Sequence, residues 1–169
     1  MMPRAALDEA LDLVIDETAK KICGLGFRRR GSLLRAVSQG NAGLVEFQKS
    51  TKSSADHILF TVNLAVVCGA LLEPEQSSLE KVRSPEAHLR QRVGMLMPGR
   101  PDKWWEIRNG VDVGALADEV STLIATDAAP YVARYLDPGE LIALWETGQS
   151  PGLTETQRVR YLEKLKSKR

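Results

Sequence analysis

Two stretches decide the fold: Leu44-Val-Glu-Phe-Gln-Lys-Ser50 and His57-Ile-Leu-Phe-Thr-Val-Asn-Leu-Ala-Val-Val67. Both alternate, and the polar segment Thr51–Asp56 joins them. Side chains of a strand point alternately to its two sides. In the second stretch Ile58, Phe60, Val62, Leu64 and Val66 share one side, and all are apolar. His57, Leu59, Thr61, Asn63 and Ala65 share the other. In the first, Val45 and Phe47 oppose Leu44, Glu46, Gln48 and Ser50. The pattern predicts an antiparallel pair with one apolar face, which must be covered, and one mixed face. Pairing Ser50 with His57 sets Phe47 opposite Phe60, Val45 opposite Val62, Glu46 opposite Thr61 and Gln48 opposite Leu59. A slip of one residue would oppose apolar to polar along the whole ladder.

Outward from this pair, Leu7, Ala10, Leu11, Val14, Ile15, Thr18 and Ile22 recur at helical spacing. They predict a helix over 3–23, with Pro3 at its first position and Gly24 and Gly26 at its end. Its apolar stripe suits the apolar sheet face. Leu33–Val37 reads as a short lead-in strand, and Gln39–Gly43 as the turn into the central pair. Beyond it, Leu71–Val82 reads as loop and Ser84-Pro85-Glu86 as a helix start. His88–Met97 alternates and reads as a strand, with Leu89, Val93 and Met95 opposite His88, Arg90 and Arg92. Lys103–Ile107 reads as a last short strand or a helical turn. The remainder is helical. Asp112 caps a helix through Ile124, and a short helix spans 128–136. Asp137-Pro-Gly-Glu140 opens a helix over 138–147 with a capping-box glutamate. Thr154-Glu-Thr-Gln157 opens a basic helix that runs to Arg169. The order predicts an α+β fold: an antiparallel sheet of about four strands, the N-terminal helix on one face, and a C-terminal helical layer. Residues 1–150 read as one domain and 151–169 as a C-terminal helix, packed or projecting.

Composition bounds the function. The chain has 169 residues, 43% hydrophobic and 27% charged, with net charge +1. That supports a core and gives no global attraction to nucleic acid or membrane. No apolar run reaches a membrane span, and the first residues lack the apolar stretch of a signal peptide. A cytoplasmic protein with Cys23 and Cys68 as reduced thiols is expected.

Several local patterns occur in order: Gly26-Phe-Arg-Arg-Arg-Gly31, Phe47-Gln-Lys-Ser50, Phe60-Thr-Val-Asn-Leu64, Arg90-x-Arg92 and Asp102-Lys-Trp-Trp105. Together, over roughly residues 5–135, the chain resembles domain-of-unknown-function family 4304. The resemblance implies an α+β domain in a bacterial cytoplasm. It implies no catalytic residue.

The residues point to one candidate surface. Glu46, Gln48, Thr61 and Asn63 share the mixed sheet face, and Arg90 and Arg92 join it if their strand pairs in matching register. Guanidinium forks suit carboxylates or phosphates, and Asn, Gln and Thr supply orienting hydrogen bonds. With Trp104 or Trp105 at the rim, this face is expected to bind an anionic or amide-bearing group; Gln48, Thr61, Asn63, Arg90, Arg92 and Trp104 are its candidate residues. The plainer reading is that Glu46 neutralises Arg90 or Arg92 and the face is solvated or packed by the C-terminal helices. Of the two adjacent tryptophans, one is expected in the core. The basic runs Arg28–Arg30 and 158–169 read as solvated charge; nucleic-acid binding would need both on one surface. No metal site, cofactor motif or nucleophile elbow is found, and His57 and His88 have no catalytic partner by local spacing. The expected role is a binding module for a protein partner, by fold analogy immunity- or antitoxin-like. The alternative is a small-molecule binder or hydrolytic enzyme using the same face.

Overall fold

The computed structural model describes all 169 residues. The central pair is β3 (Asn41–Lys49) and β4 (His57–Cys68), antiparallel. Its register lies two residues from the expected one: Phe47 faces Val62, Glu46 faces Asn63, and Gln48 faces Thr61. The cause is in the connecting loop. Leu59 O accepts from Ser50 N (2.7 Å), and the Ser53 hydroxyl accepts from Leu59 N (3.0 Å). The loop satisfies Leu59, so the ladder begins at Lys49 and Phe60. A slip of two preserves the alternation, and the faces are those expected.

β1 (Arg28–Arg30), β2 (Leu33–Ser38), β3, β4 and β5 (Leu89–Arg92) lie side by side, each pair antiparallel. β6 (Trp105–Arg108) pairs with β4 along the stretch that β5 leaves free, His57–Phe60. The sheet thus has six strands, more than the four or so expected. β5 and β6 are two pieces of one edge, interrupted by an excursion over 93–104. Gly94 closes the neck of that excursion: a side chain there would run into the carbonyl of Pro101. The alternation over 88–96 therefore yields a strand only to Arg92, followed by a 3₁₀ turn over Val93–Leu96. Ser84–Glu86 likewise makes only a 3₁₀ turn. The expected turn 39–43 shortens to Gln39 and Gly40, both at positive φ. Gly43 instead lies inside β3, where a Cβ would strike Val132.

Five helices cover the apolar face. α1 (Arg4–Ile22) buries all seven stripe residues. Pro3 sits just outside it, as the cap. α2 (Val113–Leu123) is capped by Asp112, whose carboxylate accepts from Ala115 N at 3.0 Å. A π-helical turn, Ile124–Ala128, carries it into α3 (Ala129–Arg134), which sits over Gly43. α4 (Pro138–Glu146) starts at Asp137, which accepts from Gly139 N. Glu140 forms no capping box there; its carboxylate accepts from Arg134 Nε at 2.9 Å instead. α5 (Glu155–Ser167) has the Thr154/Gln157 box and packs back, with Leu165 buried and Arg158 donating to Trp145 O. Residues from all five helices join Ile58, Phe60, Val62, Leu64 and Val66 in one core. Each such side chain contributes about 1.5–3 kcal/mol by burial. The C-terminal helices thus share the layer of α1 and leave the other sheet face to something else.

That cover is the loop 72–87. Val82 and Ala87 pack on Leu33, Ala42, Leu44, Ala65 and Val67. Arg35 fixes the loop by donating to Leu79 O at 2.8 Å. The loop covers only one end of the second face, and the polar residues lie at the other.

Candidate functional site: a polar groove on the second sheet face

Three neighbouring strands bring the groove together. Glu46 and Gln48 come from β3, Asn63 from β4, and Arg90 and Arg92 from β5, with Ser84 and Pro85 as the loop-side wall. Asn63 pairs with Arg92 and Ala65 with Arg90, the register that sets both arginines on the face of Asn63. The depression is open and measures about 450 Å³. Its floor is a β-sheet fastened from beneath by the helices, so its side chains stand on a rigid base.

Hydrogen bonds set what the groove offers. Asn63 Nδ2 donates to Gln48 Oε1 at 2.6 Å, which leaves the Gln48 amide N–H groups and the Asn63 carbonyl for another partner. Glu46 does not neutralise Arg90 or Arg92. Its carboxylate accepts from Arg83 (3.2 Å) and Ser84 Oγ (3.2 Å) and so ties the loop to the sheet. Arg90 donates to Gly152 O at 3.0 Å. Arg92 pairs with Asp102 at 2.8 Å and lies 5.0 Å over the Trp104 ring. The Arg92 hydrogen bond, with help from the Trp104 indole, holds the Asp102 carboxyl below its usual range. Each arginine thus spends one edge of its fork on the protein and keeps donors for a ligand.

Of the six candidates, Gln48, Asn63, Arg90 and Arg92 line the groove. Thr61 shares their face but is buried, its hydroxyl donating to Lys103 O at 2.7 Å where the excursion crosses the sheet. Trp104 is half-buried beneath Arg92 and supports the groove without lining it. Trp105 is the core member of the pair, stacked on Phe60 with centroids 5.5 Å apart. Ser84 and Pro85 were not foreseen as wall residues, because they come from a loop whose path no periodicity reveals.

A Domain of unknown function (DUF4304) family model matches residues 18–134, more than half of the chain. The chain belongs to this family. The DUF4304 match begins within α1 and ends with α3, so it contains the sheet, the covering loop and every residue of the groove, and leaves α4 and α5 outside. A search of curated proteins finds no significant match, and a search of solved structures finds none either.

Outside the groove of this DUF4304 chain, the loop before β4 brings Ser54, Asp56 and His57 together. Ser54 Oγ lies 2.7 Å from His57 Nδ1, and Asp56 Oδ1 lies 3.4 Å from the same nitrogen. A catalytic triad needs serine and carboxylate on opposite ring nitrogens. Here both crowd Nδ1, with the serine hydroxyl bonded to Asp56, and the cluster reads as a loop lock. His88 is buried, accepts from Cys68 N through Nδ1 at 2.9 Å, and meets Tyr161 edge-on. Burial, with Lys164 nearby, lowers its pKa to about 4. No group of three or more His, Cys, Asp or Glu is placed to hold a metal. Of the basic run, Arg29 pairs with Asp12 and Asp16 of α1, and Arg28 donates to Cys23 O and Phe27 O. Arg28–Arg30 form the sheet edge opposite β5, whereas α5 lies beside β5, so the two basic runs do not share a surface.

Proposed function

We propose that this protein is a binding module whose polar groove takes an extended segment of a protein partner bearing a carboxylate or side-chain amide. One observation carries the reading: four side chains with unspent hydrogen-bonding groups, Gln48, Asn63, Arg90 and Arg92, line one open groove on three adjacent strands. Paired arginine forks suit a carboxylate, and an Asn–Gln pair suits a peptide or amide group. Openness favours a chain laid across the sheet over a small molecule enclosed in a cavity. The volume of about 450 Å³ supports a second reading, a small carboxylate or amide ligand in the same place. No helix is long and apolar enough to cross a membrane. Two free cysteines, one exposed, fit a reducing bacterial cytoplasm as the setting.

The test is capture from nuclease-treated host lysate with wild type and an Arg90→Glu/Arg92→Glu variant of matching circular dichroism. A stoichiometric protein held by wild type and lost from the variant supports the module. Equal capture by both removes the groove from the account. No protein on either, with a small-molecule thermal shift lost in the variant, transfers the groove to the second reading.

A further inference from the structure

A second depression, of about 500 Å³, lies on the same sheet face beyond the Arg83–Glu46 tie. Arg30, Arg35, Lys81 and Arg83 line it, with Glu80 as the one acid. With Arg83 paired to Glu46, the other three cations face Glu80 alone, a surplus of two positive charges. Other carboxylates of the neighbourhood are engaged: Asp12 on Arg29, Glu46 on Arg83, and Glu86 on the backbone N–H groups of Ser77 and Arg83. Arg30, Arg35 and Lys81 are left without an acidic partner. We propose that this depression is a binding site for a phosphate-type dianion, the diphosphate or phosphate-monoester end of a small molecule.

The walls are built before any ligand arrives. One is the two-residue Gly31–Ser32 turn of the β1–β2 hairpin, with Gly31 at φ 63°. The other is the 79–83 segment, pinned by Arg35 to Leu79 O and by the buried Val82. Arg35 projects from the floor between them, half-buried. Burial, then the neighbouring Arg83 and Arg30, push its guanidinium down from the ordinary value, partly offset by Glu80 and Glu86; it remains a cation with no direct ion pair. Crowded like charges on fixed walls are relieved by a compact polyanion, and planar guanidinium forks match phosphate oxygens two at a time. A monocarboxylate answers only one of the two surplus charges. A nucleic-acid strand needs a longer basic track, and this one ends at Glu46 and Glu80, away from the cations of α5.

The test is isothermal titration of the full chain with pyrophosphate at about 0.15 M salt, where loosely held surface charge is screened. Arg30 and Lys81 are tied to no acid, so Arg30→Gln/Lys81→Gln removes two charges without breaking a structural bond. Wild type is expected to bind one pyrophosphate saturably, with inorganic phosphate competing. Losing two charge-assisted contacts weakens binding by about tenfold or more. The charge-matched control Lys52→Gln/Arg100→Gln, exposed and outside the lining of the depression, stays within about twofold, as screened surface charges do. Absence of saturable heat in wild type overturns the site. Equal weakening by the control overturns it too, since only overall charge would then matter. A single-stranded oligonucleotide that binds stoichiometrically where pyrophosphate does not overturns the small-molecule assignment.

Discussion

One sheet here has two faces that solve different problems. The helical face of β4 carries Ile58, Phe60, Val62, Leu64 and Val66, all buried under five helices. The second face is divided. Ala65 and Val67 lie under the loop 72–87, Thr61 lies under the crossing excursion, and Asn63 between them stays half-open in the groove. Uniform apolar alternation recruits regular secondary structure; a mixed face is closed piece by piece with loops, and what they leave open is the place for recognition. Stability is thereby drawn from one face and kept largely independent of the chemistry offered by the other.

Substitutions on the two sides of β4 break or sharpen this contrast, and the largest effect belongs to the helical face. Phe60→Ala removes a ring packed on Phe47 and Trp105 and should cost about 3–5 kcal/mol in urea unfolding. A loss below about 1 kcal/mol, within the range of a single exposed hydrogen bond, would mean that the helical layer does not hold the sheet.

pH provides the next contrast, at the junction of the second face with α5. His88 titrates in the folded chain at about 4 against 6.5 when free. The unfolded chain therefore binds the proton first. Stability from this group is intact above about pH 6.5, falls as pH drops toward 4, and then levels off, by about 3 kcal/mol in all. Carboxylates held low, such as Asp102 by Arg92, add their loss only below the ordinary carboxylate range. Urea midpoints from pH 7 to 4.5 should fall for wild type and stay flatter for His88→Gln, which has no ring to protonate. Parallel profiles would assign the pH dependence to other groups.

Gly94→Ala comes third. The new methyl meets the Pro101 carbonyl, and overpacking of this kind costs about 1–3 kcal/mol. Because the excursion also covers Thr61, hydrogen exchange should quicken around β5 and β6 and leave β2 and β3 unchanged. Smallest are changes in the groove itself. Asn63→Ala should shift stability by under about 1 kcal/mol, the worth of one partly exposed hydrogen bond to Gln48. Glu46→Gln, opposite a largely exposed Arg83, should do no more than about 1 kcal/mol. A large loss at Asn63 would show that the second face carries the fold, contrary to the division drawn here.

What could be read in the sequence follows the same division. The stripe of α1, the parity of β3 and β4, and the caps at Asp112, Asp137 and Thr154 all follow from local periodicity or local hydrogen bonds, and each is present. Parity also placed Gln48, Asn63, Arg90 and Arg92 on one face. Register was missed by two residues because alternation repeats every two and cannot distinguish such slips; the choice lay with Ser53, a loop hydroxyl. β1 reads as a charge run because an edge strand can be polar on both sides: Arg29 meets Asp12 and Asp16 of α1, and Arg28 and Arg30 lie on the second face. The loop over 71–82 is legible, but its covering role is not drawn from the sequence, although Leu64–Cys68 is a continuous apolar run, the mark of a strand buried on both sides. Thr61 was lost from the groove by a contact 42 residues away, at Lys103, which no local pattern encodes.

The central claim is that recognition belongs to the second face and support to the helical one. Photo-crosslinking in the host tests it directly, with the crosslinker placed at Gln48 in the groove or at Glu119, exposed on α2. The account predicts a discrete protein adduct from position 48 that disappears when Arg90→Glu/Arg92→Glu is added, and none from position 119. A discrete adduct from position 119, with none from position 48, would place recognition on the helical layer and contradict the account.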